Sequence, residues 1–315
     1  MQKVTIVIPN YNERRLLENC LKTLENQTYT DFKVLIIDNG STDGSKEIIS
    51  DTLDMEIVSL ETNLGFCGAV NLGIQMTNTP YIILLNNDTE TDRYFVETLL
   101  KAIERSEKIF SCGAQMIDFQ NHKILDNAGD LYTAMGWAVA RGKGKRCIDY
   151  EKKKRVFSCC AGAAIYRMDI LNQIGGLDEH HFAYLEDVDL GYRARIHGFE
   201  NWYIPEAKVY HVGSATTGAR YNEKKVFLAA RNTIFVIYKN MPVLQLALNV
   251  PFIFTGMLIK TLFFVRKGFG EDYCKGILEG ICDCKKCWKV KFRIKNLSNY
   301  FKIQLELWCN LVRII

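Results

Sequence analysis

The chain has 315 residues, of which 48% are hydrophobic and 24% charged, as expected of a soluble globular protein with one large or two smaller domains. Its formal net charge of +4 is too small to argue for nucleic acid as a partner. The charge is unevenly spread: from Phe252 onward twelve Lys and Arg stand against five Asp and Glu, so the tail is basic and the body is not.

Met1-Gln2-Lys3 leads directly into an apolar strand pattern, Val4 to Ile8, with no signal-peptide profile. With an odd count of eleven cysteines, this favours reduced thiols in a cytoplasm. A polar turn at Pro9-Asn10-Tyr11-Asn12-Glu13 follows, then a helix over about Arg14 to Asn26, where Leu16, Leu17, Cys20, Leu21 and Leu24 recur at helical spacing. A second strand, Phe32 to Ile37, ends in Asp38-Asn39-Gly40-Ser41, and Ser45 to Asp51 reads as a helix behind those cap and turn residues. A third strand, Glu56 to Leu60, ends at Asn63-Leu64-Gly65, with a helix from about Cys67 to Met76. The apolar run Tyr81 to Leu85 is the fourth strand, and it stops at Asn86-Asn87-Asp88.

Such alternation predicts an α/β fold, a mostly parallel sheet with helices on both faces. Ligands in such sheets bind outside the carboxyl ends of the strands. Each strand here ends in polar residues, among them Glu13, Asp38, Asn63 and Asp88. Any one of these suits turn chemistry, whereas four strands delivering one each to the same edge suit a binding rim. Asp88 could meet a ligand directly or share a hard cation with a phosphate.

Beyond the fourth strand the pattern loosens. Asp118 to His122 looks like a hairpin turn, and Gly136 to Lys154, polar and basic, suits a mobile surface loop. The small residues of Cys159 to Ala164 allow close backbone approach. Glu186, Asp187 and Asp189 open a helix, where the macrodipole favours acids; a carboxylate crowded by like charges also has the raised proton affinity that a general base requires.

Met241 to Ile259 carries no charge, but Pro242, Gln245, Asn249 and Pro251 interrupt it, which favours an interfacial or core helix over a membrane span. Lys285 to Lys295 holds six cations among aromatic and aliphatic residues and no acid, which suits contact with an anionic membrane surface. Cys282, Cys284 and Cys287, with Cys274 nearby, lack standard zinc-knuckle spacing and read as free thiols.

The segments Val4 to Glu13 (VTIVIPNYNE), Ile37 to Ser45 (IDNGSTDGS), Asn63 to Gly73 (NLGFCGAVNLG), Ile83 to Glu90 (ILLNNDTE), Gly175 to Arg195 (GGLDEHHFAYLEDVDLGYRAR) and Tyr210 to Ser214 (YHVGS), the last followed by Arg231-Asn232, stand in order over some three-quarters of the chain. In them the sequence resembles the family-2 glycosyltransferases of GT-A fold, especially the bacterial rhamnosyltransferase-like branch. The resemblance implies a Rossmann-like GT-A domain over 1–240, with a nucleotide-sugar half to about 110 and an acceptor half over 111–240, followed by an apolar, basic helical tail over 241–315.

It also implies roles. Pro9, Tyr11 and Glu13 would frame base and ribose, and Asp38 would contact the uracil or thymine. Asn63, Gly65 and Asn71 would approach ribose and phosphate, with Asn87 beside them and Gly68 permitting close approach. Asp88, with His211 as a further ligand, would bind Mg2+ or Mn2+ on the diphosphate. Asp187, with Glu186 beside it, would deprotonate the acceptor hydroxyl for inverting transfer of one sugar, from dTDP-rhamnose or a UDP-hexose, to a cell-surface glycan or lipid-linked acceptor. Such an enzyme would be cytoplasmic and peripheral at the inner face of the membrane.

Two departures bear on this. Asn86 replaces the first acid of the family's Asp-x-Asp motif, keeping an oxygen donor but losing charge. The Gln/Arg-x-x-Arg-Trp signature of processive synthases is missing, which points to single-sugar transfer. The rival expectation is a non-catalytic nucleotide-sugar-binding scaffold on the same fold. A dehydrogenase is disfavoured, because no Gly-x-Gly-x-x-Gly follows the first strand.

Overall fold

A computed structural model describes residues 2–213 and 221–314. Ser214 of the sixth matched segment lies outside them. The elements are β1 (Val4–Asn10), α1 (Arg14–Glu25), β2 (Phe32–Asp38), β3 (Met55–Ser59), α2 (Gly65–Met76), β4 (Tyr81–Leu85), β5 (Thr89–Thr91), α3 (Phe95–Ile103) and β6 (Ile109–Asp118). Then come β7 (Leu125–Asn127), β8 (Asp130–Tyr132), β9 (Ala138–Ala140), β10 (Lys154–Val156), β11 (Ala163–Arg167), α4 (Met168–Ile174), α5 (Glu186–Ile196) and β12 (Glu200–His211). Helices α6 (Glu223–Asn240), α7 (Val243–Lys267), α8 (Gly270–Asp283) and α9 (Leu297–Arg313) complete the chain.

The main sheet runs β10-β12-β6-β11-β4-β1-β2-β3, with β5 added to β12 and β7 to β6. Strands β3, β2, β1 and β4 are mutually parallel, and β6 and β12 are a second parallel pair. Antiparallel β11 joins the two sets, which makes the sheet mixed. Strand order reverses at β1, whose neighbours are β2 and β4, so a crevice opens where their carboxyl ends diverge. Every residue of β4 is buried, as its unbroken apolar run requires of a strand covered on both faces. One face packs against α1 and α3, the other against α2, α4 and α5.

Two expected elements differ. Ser45–Glu47 forms only a single 3-10 turn, after which the backbone is extended at Ile48. Ile48 reaches the core but Ile49 is 85% exposed, so no second turn has an apolar face to offset the cost of helix nucleation. The stretch 136–154 is more ordered than a mobile loop: β9 pairs with β8, and the Arg141 guanidinium stacks on the rings of Tyr150 and Tyr203 at 4.7 and 5.3 Å.

The tail packs onto the body. Ile253, Tyr300, Ile303 and Leu307 share a core with Tyr132, Phe157, Val188 and Tyr192. The polar interruptions of α7 face inward: Gln245 accepts a hydrogen bond from the Tyr192 hydroxyl (2.9 Å), and Asn249 and Gln304 exchange amide bonds (2.8 Å each). Apart from Ile253, Leu246 and Met257, most apolar side chains of α7 point out, the reverse of an ordinary surface helix.

Candidate active site

At the donor edge Asn10, 2% exposed, ties three strand ends together. Its amide donates to Asp38 Oδ2 (3.1 Å) and Ser41 Oγ (3.3 Å), and its Oδ1 accepts from the Asn87 amide (2.7 Å). Asp38 Oδ1 takes the Ser41 N–H at 2.9 Å, so this buried carboxylate organises the β2 loop with both oxygens. Asn39 stitches the next loop, accepting Leu64 N–H and donating to Gly65 O, both at 2.9 Å.

Of the other residues expected to contact the donor, Pro9 lies in β1 opposite Ile37 and Tyr11 is exposed beyond it. Glu13 is half-buried, and burial raises its proton affinity, with Asp88 and Asp43 adding to the effect. Asn63 accepts the Gly65 N–H (2.8 Å). Gly65 adopts φ +77, and a Cβ there would stand 2.6 Å from Phe182, so its lack of a side chain serves a contact within the protein. Asn71 is likewise engaged: its amide bonds Leu177 O and the Glu179 carboxylate, and its Oδ1 accepts Leu177 N–H, all at 2.9 Å.

The loop after β4 leads into β5, which pairs Thr89 with His211 at the end of β12. That register brings His211, at the end of β12, to Asp88 in the loop before β5, 123 residues away in the sequence. Among the described residues, buried Asp88 Oδ1 accepts no hydrogen bond of good geometry, and His211 Nε2 stands 3.3 Å from it. The other ring nitrogen, Nδ1, lies 2.9 Å from Asp126 Oδ2 on β7, and Lys143 pairs with the remaining oxygen of Asp126 at 2.6 Å. Burial alone would lower the His211 pKa, but the hydrogen bond with Asp126 and the negative charges of Asp126 and Asp88 override it and raise the pKa to about 9. A carboxylate oxygen without a donor, next to an imidazole oriented by a second carboxylate, is the donor set of a carboxylate–histidine–metal arrangement, so these residues fit a divalent cation.

The second centre forms at the start of α5. Asp187 Oδ1 accepts the Val188 N–H (2.7 Å) and its Oδ2 the Ala161 N–H (3.4 Å). Glu186 is buried, with no partner for Oε2 among the described residues. Asp130, the first residue of β8, is also buried and bonded by Asn127 Nδ2 (2.8 Å) and Ser158 Oγ (3.2 Å). Burial raises the proton affinity of all three, and repulsion from Asp187 adds to it at Glu186 and Asp130. Asp189 belongs elsewhere. It is fully buried and bonded by Arg193 Nε (3.0 Å), Lys239 Nζ (3.0 Å) and Asn240 Nδ2 (2.8 Å), and these cations outweigh its burial and hold its pKa low. The acid run of the sequence thus splits into a buried pair with raised proton affinity, Glu186 and Asp187, and an ion-paired Asp189.

The two centres adjoin. Gly162 O accepts the Asn86 N–H at 2.9 Å while neighbouring Ala161 holds Asp187, so Cys160–Gly162 touches both. Asn10, Asp126 and Asp130 were not legible as site residues in the sequence. Their only signals are polar positions at a strand end (Asn10) and on the short hairpin after β6 (Asp126, Asp130).

Among the described residues, the cysteine-rich tail brings only Cys287 to possible ligands, Asp178 and His180. Asp178 is already paired with Lys239 at 2.7 Å and with His180 at 2.8 Å, and all eleven cysteines are free thiols.

Comparison with known proteins gives consistent findings. The model of the family described as Glycosyl transferase family 2 matches residues 5–175. The N-acetylglucosaminyl-diphospho-decaprenol L-rhamnosyltransferase of Mycobacterium tuberculosis is 26% identical over 72% of this chain and 84% of its own. The O-antigen chain rhamnosyltransferase RfbN of Salmonella typhimurium is 27% identical over 72% of this chain and 73% of its own. Among solved structures, a mannosyltransferase from Pyrobaculum calidifontis in complex with GDP-Man and Mn2+ superposes with a TM-score of 0.56 over 90% of this chain and 87% of its own, at 12% identity. GalNAc-T7 with UDP, GalNAc and Mn2+ superposes with a TM-score of 0.59 over 75% of this chain but only 47% of that longer one, at 15% identity. At such identities the likeness to the solved structures is one of fold, and the fold is GT-A.

Proposed function

Since this chain belongs to glycosyl transferase family 2, we propose that it transfers a single deoxyhexose or hexose, from dTDP-rhamnose or a UDP-hexose, to a cell-surface glycan or lipid-linked glycan with inversion at the anomeric carbon. The observation that carries this is the contact of Cys160–Gly162 with both the Asn86–Asp88 loop, read here as the leaving-group site, and Asp187, read here as the base. Two relatives named as rhamnosyltransferases, one of them for a decaprenol-linked substrate, support the donor and acceptor class.

In this reading residues 1–110 hold the nucleotide sugar and 111–240 the acceptor. Pro9, Tyr11, Glu13, Asp38, Asn63, Gly65, Asn71 and Asn87 form or brace the nucleotide site, several of them through the loops they cross-tie. Asp88 and His211 hold Mg2+ or Mn2+, which when bound offsets charge on the departing diphosphate. Asp187, with Glu186 beside it, takes the proton from the acceptor hydroxyl, and its burial keeps its proton affinity high enough for that task. A panel of nucleotide sugars, screened for nucleotide release with Mn2+ and with EDTA, tests the proposal; release from none of them in the presence of metal would refute it.

Asp126 enters the same reading as the residue that orients His211. Asp126→Asn should weaken Mn2+ binding to the nucleotide-free protein about 10–100-fold, measured by electron paramagnetic resonance of the free ion. Unchanged affinity would remove Asp126 from the site.

We place the enzyme at an anionic cytoplasmic membrane face, with 241–315 as the associating segment. Helix α7 is 25 residues long, and an 18-residue window within it has a mean hydropathy of 1.7 with only 17% of the window buried in the protein. Phe254, Leu258 and Val265 form one exposed stripe, and all six cations of Lys285–Lys295 are exposed. Truncation at Lys239 would strip the core around Tyr132 and Tyr192, so point substitutions are the sound test. Phe254→Glu with Val265→Glu should cut sedimentation with phosphatidylglycerol vesicles about tenfold or more without altering the melting curve. Equal sedimentation would sink this placement.

A further inference from the structure

Three non-glycine residues with left-handed backbone, Phe182 (φ 62), Tyr184 (φ 74) and Leu185 (φ 66), immediately precede Glu186 and Asp187. L-residues rarely adopt this conformation, and such a run persists only where its surroundings over-determine it. The determining contacts come from α6. Asn232, fully buried, directs its amide nitrogen at three carbonyls: His181 O (3.0 Å), Ala183 O (2.8 Å) and Tyr184 O (2.8 Å). Arg231 donates through Nη2 to His180 O (2.9 Å) and His181 O (3.1 Å), and through Nε to Asn232 Oδ1 (3.2 Å).

Both ends of the held segment touch site elements. Phe182 O accepts the Cys67 N–H (3.1 Å) in the first turn of α2 and its ring covers Gly65, while Leu185 caps α5 at the acids. The tail supports the clamp from behind. Glu279 of α8 pairs with Arg231 Nη1 at 3.2 Å, and Gly276 and Gly280 let α8 lie directly on the α6 backbone. A Cβ at those glycines would stand 2.4 Å from Phe227 O and 2.9 Å from Arg231 O.

We propose that Arg231 and Asn232 are positioning residues for Asp187, gripping the carbonyls of His180–Tyr184 so that the strained segment presents the base to the acceptor, with α8 as the brace. The inference rests on Asp187 being the base. Arg231→Lys keeps the charge and loses the fork that binds two carbonyls and an amide at once. It should lower kcat about 10–100-fold while dTDP or UDP binding with Mn2+ keeps its stoichiometry and stays within twofold of the wild-type Kd. A purely structural role would instead reduce the number of binding sites and leave turnover per site unchanged. Asn232→Ala should show the same split more strongly, and if it does not fold, Arg231→Lys decides alone. The inference is overturned if folded Arg231→Lys turns over like wild type, or if its kcat falls only in step with lost nucleotide binding. Asp187→Asn measured in parallel separates the cases: full turnover in that variant defeats the base assignment, whereas an inactive Asp187→Asn beside a fully active Arg231→Lys defeats the clamp alone.

Discussion

Replacing Asp187 with Asn lowers sugar transfer by about 10²–10⁴-fold, the usual contribution of a positioned general base, and leaves nucleotide affinity within about twofold. The substitution is nearly isosteric, and the amide oxygen can still accept the N–H groups of Val188 or Ala161 that hold the carboxylate. What it removes is the ability to take a proton. In the wild type, burial places the Asp187 pKa above the ordinary carboxylate value of about 4, so the acidic limb of kcat should lie above that pH and vanish in the variant.

A second consequence follows from Glu186 and Asp130, whose pKa values are also raised in the folded state. Groups that bind protons more tightly when folded make stability fall as pH rises above their unfolded values, near 4. Deleting one of three crowded carboxylates relieves that repulsion. Asp187→Asn should therefore melt at a higher temperature than wild type at pH 8, with a smaller gain at pH 4. A lower melting temperature at pH 8 would mean that the carboxylates do not repel one another as described.

Replacing Asp88 with Asn should cost several kcal/mol of transition-state stabilisation, about a thousandfold in rate, and should weaken metal-dependent nucleotide binding. Asn86 already lacks charge, so Asp88 is the acid of this loop that can meet a cation, and the variant leaves three neutral amides, Asn86, Asn87 and the new Asn at 88, in its place. Chelation of wild type with EDTA should reproduce the loss, and added Mn2+ should restore wild type but not the variant. Transfer that is indifferent to EDTA would show that Asp88 and His211 serve the diphosphate without a metal. A non-catalytic scaffold would keep nucleotide binding and show no turnover in wild type either.

The donor half was legible because its signals are local. Buried parallel strands read as apolar runs, and the breaks at Asn10, Asp38 and Asn86 mark their carboxyl ends. The short turn at Ser45–Glu47 was misjudged because cap residues announce a helix start but say nothing of whether a second turn has a core to face. The acceptor half depends on register instead. Asp126 reaches His211 only through the β7–β6–β12 alignment, and Asp130 meets the charge of Asp187 from the following strand, β8, whose pairing with β9 gives no sign of it. Asp189 was grouped with its neighbours by spacing, although Arg193 four residues on was the available sign of an ion pair. In α7 the polar interruptions Gln245 and Asn249 were visible, but only their partners Tyr192 and Gln304 show that they face the body.

A nucleotide-diphosphate sugar held by the Asp88 loop, with Asp187 activating the acceptor on the opposite side of the anomeric carbon, should react with inversion at that carbon. Nuclear magnetic resonance of the product made from dTDP-rhamnose or a UDP-hexose with Mn2+ tests it most directly. The expected product is a glycoside whose anomeric configuration is inverted relative to the donor; a product with the donor's configuration retained would rule out direct attack by an acceptor activated at Asp187.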